Sequence, residues 1–100
     1  MRNANSHDIL ASIRAKKMYL SQRFGVVRVG LFGSAARNET GEQSDIDVYY
    51  ESESKEFTLS DVLEMEAELE KSLGRKVDLV NLKYMNPLVL MTAQKDFIDA

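Results

Sequence analysis

Asp45 and Asp47 stand two positions apart in the segment SDIDVYY. On a strand both carboxylates project from one face, and two unpaired carboxylates that close repel one another unless a cation neutralises them. A few hard oxygen donors suit Mg²⁺, which keeps some of its waters and takes further oxygens from substrate phosphates. Alone, the pair reads more readily as a solvated strand face or a turn cap: with seven Asp in 100 residues, chance supplies roughly half an Asp-x-Asp per chain of this kind. Upstream, Gly33-Ser34-Ala35-Ala36-Arg37 follows an apolar run. Its glycine permits close backbone approach, its serine hydroxyl and helix-opening N–H groups can hold phosphate oxygens, and Arg37 adds positive charge. The plainer reading makes Gly33 and Ser34 turn and cap residues. Downstream, Asp78 interrupts the apolar stretch KVDLV. A carboxylate there is paired, metal-bound, or on an edge strand facing water. Each signal is weak alone; their order along the chain gives them weight.

The elements that must position these residues follow from periodicity. Leu10, Ile13, Leu20 and Phe24, with the stem of Lys17, form a helical stripe from Ser6 to Phe24 that Gly25 ends, with His7 exposed ahead of it. Val26 to Phe32 reads as a strand with Val27, Val29 and Leu31 on one face. Residues 33–44 read as a loop holding at most one helical turn. Asp45 to about Tyr50 alternates, with Ile46, Val48 and Tyr50 toward the core and Asp45, Asp47 and Tyr49 away from it. Thr58 and Asp61 resemble a capping box opening an amphipathic helix marked by Leu59, Val62, Leu63, Leu69 and Leu73, which Gly74 ends. Lys76 to Leu82 is a third strand, and Asn86-Pro87 starts a last helix through about Phe97. The expected fold is α+β: a small mixed sheet of about three strands flanked by helices, in the order α-β-turn-β-α-β-α. The short link between the first two strands implies an antiparallel pair.

Composition narrows the function. The sequence is 44% hydrophobic and 29% charged, without cysteine and with one histidine, which fits one globular domain over residues 1–100, excludes thiol nucleophiles and zinc-cysteine sites, and strains a Ser-His-Asp triad or a His-rich metal site. A chain this size buries about 60–70% of its unfolded surface, so an open site is expected. The longest clean apolar run is Leu88 to Met91, far short of a membrane span, and a cytoplasmic protein is expected. Net charge is −3, divided between a basic head (+6 over residues 1–37), an acidic middle (−4 over 38–50, −7 over 51–70) and a basic end (+2). That balance argues against binding duplex nucleic acid and leaves room for a small phosphate-bearing ligand. Glu64, Glu66, Glu68 and Glu70 form a solvated face or a docking surface for a basic partner.

With these motifs in order, VGLFGSAARNETGEQSDIDVYYE followed by LGRKVDLV resembles the minimal nucleotidyltransferases of the DNA polymerase β-type superfamily. The resemblance spans nearly the whole chain. It implies that Gly33, Ser34 and Arg37 contact the β- and γ-phosphates of a nucleotide, that Asp45 and Asp47 bind two Mg²⁺ ions, and that Asp78 binds the catalytic one. Nucleotidyl transfer is an in-line displacement at the α-phosphorus and needs neither histidine nor cysteine. Asp78 is then placed to help the acceptor hydroxyl lose its proton. Asn38 stands where the family commonly has glycine, and Tyr49-Tyr50 replace its usual aliphatic pair, which touches packing rather than chemistry. Members are often paired with HEPN-class ribonuclease toxins, so the resemblance implies an antitoxin that moves AMP from ATP to a toxin tyrosine. An inactive module that caps its partner, and transfer to a small-molecule acceptor, are the alternatives.

Overall fold

The structure, a computed structural model, describes residues 5–37 and 45–100. Helix α1 (Ser6–Phe24) opens on Asn5, whose side chain accepts from the Asp8 N–H at 2.9 Å, and closes at Gly25. Strand β1 (Val26–Leu31) leads into a four-residue helical turn, α2 (Gly33–Ala36). Strand β2 (Ile46–Ser52) follows, then α3 (Leu59–Leu73), whose capping box pairs Thr58 and Asp61 reciprocally and which ends at Gly74. Strand β3 (Val77–Asn81), a 3₁₀ turn at Leu82–Tyr84, helix α4 (Pro87–Ala93), a second 3₁₀ turn at Gln94–Asp96 and strand β4 (Ile98–Asp99) complete the chain.

The sheet order is β3-β2-β1-β4. β1 runs antiparallel to β2 and β4, and β2 runs parallel to β3. The mixed α+β sheet is therefore as expected, with one strand more. The last helix ends at Ala93 rather than near Phe97, because the chain tightens into the 3₁₀ turn and then extends. Two residues account for the added strand. Gly30 pairs with Asp99, and a Cβ there would collide with the Ile98 carbonyl and the Tyr49 hydroxyl. Phe97 stacks on the Tyr49 ring at 4.1 Å between centroids.

One face of the sheet carries the core. Ile9, Ile13, Leu20 and Phe24 of α1 and Met65, Leu69 and Leu73 of α3 pack there against Val29, Leu31, Ile46, Val48 and Tyr50. Three expected stripes shift. The β1–β2 register slips between Val26 and Arg28, so Val26 is buried and Val27 is 56% exposed. A bulge of this kind exchanges the faces of the residues that precede it. On α3, Leu63 lies about 120° around the helix from Leu69; it and Leu59 face solvent, while Met65 takes the buried place. Lys17 is exposed, and its ammonium donates to the Ala100 carbonyl at 2.9 Å instead of lying along the core. His7 sits inside the first turn of α1, exposed.

Part of the glutamate run ties elements together. Glu64 pairs with Arg23 at 2.8 Å and Glu68 with Lys16 at 3.3 Å, fastening α3 to α1. Glu70 accepts from the Val77 N–H at 3.0 Å. Among the described residues, no helix is long and apolar enough to cross a membrane.

Candidate active site

β1 delivers the chain to a turn that only glycine can make here. Gly33 has φ +66°, and a Cβ at this position would lie 2.5 Å from Asp47 Oδ2. An L side chain is therefore strained both by the left-handed backbone and by the Asp47 carboxylate, which would have to move. The turn is bound to the next strand by the Phe32 N–H, which donates to the Asp47 carbonyl at 3.1 Å. Ala35 seals the underside of α2 against the core and Ser34 stays half-buried. Gly33 and Ser34 thus sit directly over the strand that carries Asp47.

The parallel β2–β3 register places Asp47 opposite Asp78. The Ile46 N–H donating to the Lys76 carbonyl at 2.9 Å holds the two strand starts together. Asp78 is exposed on the edge strand and Asp45 is exposed just ahead of β2, while Asp47 is half-buried between them. Burial pushes the Asp47 carboxyl above the usual range, the charges of Asp78 and Asp45 push it further, and Arg37 draws it back. The three acids expected from the sequence thus act on one another across the sheet. Such a site stores repulsion that a cation would relieve.

Among the described residues, no three His, Cys, Asp or Glu side chains close a metal cage unaided. Mg²⁺ seldom uses one, because one or two carboxylates with water and substrate phosphates complete its octahedron. The all-oxygen donor set and the unfavourable crowding around Asp47 fit such an ion.

Arg37 ends α2, its N–H donating to the Gly33 carbonyl at 3.2 Å. Its guanidinium donates to Asp96 Oδ2 at 2.6 Å, a contact the sequence does not reveal, since Asp96 reads there as the end of a helix. Phe97 next to it meets Phe32 edge-on at 5.9 Å, so the segment after α4 braces the turn from the side opposite the core. Between turn and α4 runs an open groove of about 480 Å³, lined by Phe32, Gly33, Arg37, Leu88, Val89 and neighbours. Asn38, the position where the resemblance departs from glycine, lies outside the described residues. Tyr49 and Tyr50 pack on opposite faces. Tyr50 joins the core, while Tyr49 lies under Phe97 with its hydroxyl on Asp99.

Comparison with known proteins places this geometry in context. The family model described as nucleotidyltransferase domain matches residues 13–100. A candidate protein adenylyltransferase of Methanocaldococcus jannaschii is 39% identical over 93 residues, covering 91% of this chain and 93% of its own. The protein adenylyltransferase MntA of Thermococcus cleftensis is 34% identical over 91 residues, 91% of each chain. Among solved structures, a candidate minimal nucleotidyltransferase superposes with a TM-score of 0.79 at 31% identity, covering 98% of both chains. A chain from a complex of the tri-AMPylated Shewanella oneidensis HEPN toxin with its MNT antitoxin superposes at 0.66 and 17% identity, over 91% of this chain and 70% of that one, a likeness of fold.

Proposed function

The chain belongs to the nucleotidyltransferase domain family, as one of its minimal nucleotidyltransferases, and we propose that it transfers AMP from Mg²⁺-bound ATP to a tyrosine hydroxyl of a HEPN-class toxin, and so acts as an antitoxin. The observation that carries this reading is the placement of Asp47 opposite Asp78 and against the Gly33 turn. Carboxylates and a glycine turn meet there at one end of the sheet. The names of the relatives add the reaction class, and the toxin complex of similar fold adds the kind of partner.

In this reading Asp45, Asp47 and Asp78 would hold the two Mg²⁺ ions, which would supply positive charge against the charge that develops at the reacting phosphate. The Ser34 hydroxyl and the backbone of the Gly33 turn orient the triphosphate, and Arg37 supplies charge toward its distal phosphates. The tyrosine oxygen attacks the α-phosphorus in line, a new P–O bond forms, and the bond to the β-phosphate oxygen breaks to release pyrophosphate. The hydroxyl proton passes to Asp78, which stands exposed at the sheet edge where an acceptor can reach it. Cytoplasmic residence and a single domain over residues 1–100 belong to the same reading.

The test begins at the neighbouring reading frame: if it encodes a HEPN-class protein, the two are coexpressed and the products weighed by intact-mass measurement. The toxin should gain one or more AMP units in the presence of Asp47 and none with Asp47→Asn. A toxin left unmodified yet inhibited by both forms would mean neutralisation by capping instead.

A further inference from the structure

Helix α4 is apolar on almost every side, with sequence PLVLMTA, and none of its residues is buried. Leu88, Val89 and Met91 are 75%, 55% and 62% exposed, and Tyr84 on the preceding turn is 77% exposed. Scattered apolar residues on a surface need no explanation, but Leu88 and Met91 lie about 60° apart around α4, with Val89 on its groove side and Tyr84 on the turn before it, and so dense a set of exposed apolar side chains marks an interaction site. A helix apolar all round is expected to be covered.

The residues outside the described ones, 1–4 and 38–44, include only Met1 and Ala4 as apolar side chains. A second copy is disfavoured by charge. Lys83 and Lys95 flank the patch, Asp96 beside them is engaged by Arg37, and an isologous contact would bring two such cationic rims together. The patch instead suits a partner with an apolar ridge edged by carboxylates. Its location selects which partner. Leu88 and Val89 themselves line the groove that reaches Gly33 and Arg37, so a protein seated on α4 lies against the transfer site.

We propose that Tyr84, Leu88, Val89 and Met91, rimmed by Lys83 and Lys95, form the docking surface for the acceptor protein. This inference rests on the reading that the acceptor is a protein. Seating the acceptor beside the Gly33 turn makes attack on the α-phosphorus effectively intramolecular. The face therefore governs acceptor affinity and leaves nucleotide binding alone.

The test uses a Tyr84→Asp, Met91→Asp double variant and a Lys83→Glu, Lys95→Glu variant of the chain, with a HEPN-class protein as probe, taken from the neighbouring reading frame where that frame encodes one. Both variants change exposed residues, and Mg²⁺-dependent binding of ATP by calorimetry should match that of the unmodified chain. The double variant should weaken binding of the probe, and raise its KM for AMP transfer, by about 10-fold or more with kcat little changed, the loss typical of central apolar anchors. The charge reversal should weaken binding less and lose its effect at high salt. Equal affinity of both variants and the unmodified chain for the probe overturns the proposal, as does failure of the unmodified chain to bind it. A homodimer that the double variant dissociates, with probe affinity unaltered, overturns it in favour of self-association. If the probe binds without gaining AMP, the transfer reading fails, while loss of binding in the double variant still upholds the docking face.

Discussion

The two faces of the sheet are built on different principles. On the α1/α3 face, Ile13, Leu20, Leu31, Ile46, Val48, Met65 and Leu69 are all fully buried, and ion pairs from Arg23 and Lys16 fasten the two helices to each other. On the α4 face the contacts are aromatic and charged: Phe97 on Tyr49, Arg28 between Asp99 and Glu51, and a helix with no buried residue. One face holds the fold together and the other is left open. The candidate site lies where they meet, with Asp47 fixed by strands from the packed side and Arg37 held by Asp96 from the thin side. The lesson is a division of labour: rigid strands set the carboxylates, while the weakly packed side can accept a second molecule.

The largest effect should come from the junction itself. Asp47→Asn is expected to lower AMP transfer at least about 10²-fold, the cost of losing one preorganised charge-stabilising group, measured with labelled ATP. Its folding stability should not fall. The Asp47 carboxyl is raised by burial first and by like charges second, so in the metal-free protein its ionisation opposes folding above the ordinary carboxylate range. The variant should therefore match or exceed the unmodified chain in urea at neutral pH, with the gain vanishing in acid. A destabilised Asp47→Asn would mean that the acid is a structural member rather than part of the site.

The packed face comes next. Leu69→Ala should cost about 2–5 kcal/mol in urea unfolding, against less than about 0.5 kcal/mol for Leu88→Ala on the thin face. Equal costs would erase the distinction between the two faces. Gly33→Ala should cost about 1–2 kcal/mol from the left-handed backbone alone. It should also depress transfer, because the added methyl displaces the Asp47 carboxylate.

The smallest effect belongs to the thin face. Burial works to raise the Asp99 carboxyl, but hydrogen bonds from Tyr49 and Arg28 outweigh it and leave its pKa below the ordinary 3.8. A lowered carboxylate contributes stability above the unfolded value and loses it as pH falls through the folded one. Asp99→Asn should thus cost less than about 1 kcal/mol near neutrality, since the pair is solvent-screened. The gap between variant and unmodified chain should close as pH drops below 3.8. A gap independent of pH would show that Asp99 acts through packing instead.

The candidate site's residues were singled out in the sequence because their signals are local. Asp45 and Asp47 declare a shared strand face by a period of two, Gly33-Ser34 by following an apolar run, and Asp78 by breaking one. The helix ends at Gly25 and Gly74 and the Thr58–Asp61 box were equally local, since capping involves residues within one turn. The misread positions depended on distant parts of the chain. Val27 leaves the core because β1 bulges against β2, Leu63 because α3 turns Met65 inward, and Phe97 leaves the helix because Tyr49 offers it a ring to stack on. Nothing near Asp96 in the sequence points to Arg37, 59 residues away.

The amino-acid sequence by itself determined the element order, the mixed α+β class and the identity of three acids and a glycine turn, because periodicity, capping and turn chemistry act over a few residues. Only the tertiary structure decided that Asp78 lies opposite Asp47, that Asp96 holds Arg37, that a fourth strand closes on Gly30 and that α4 stays uncovered. Those outcomes depend on strand register and on which surfaces find a partner, and both are properties of the assembled sheet rather than of any segment.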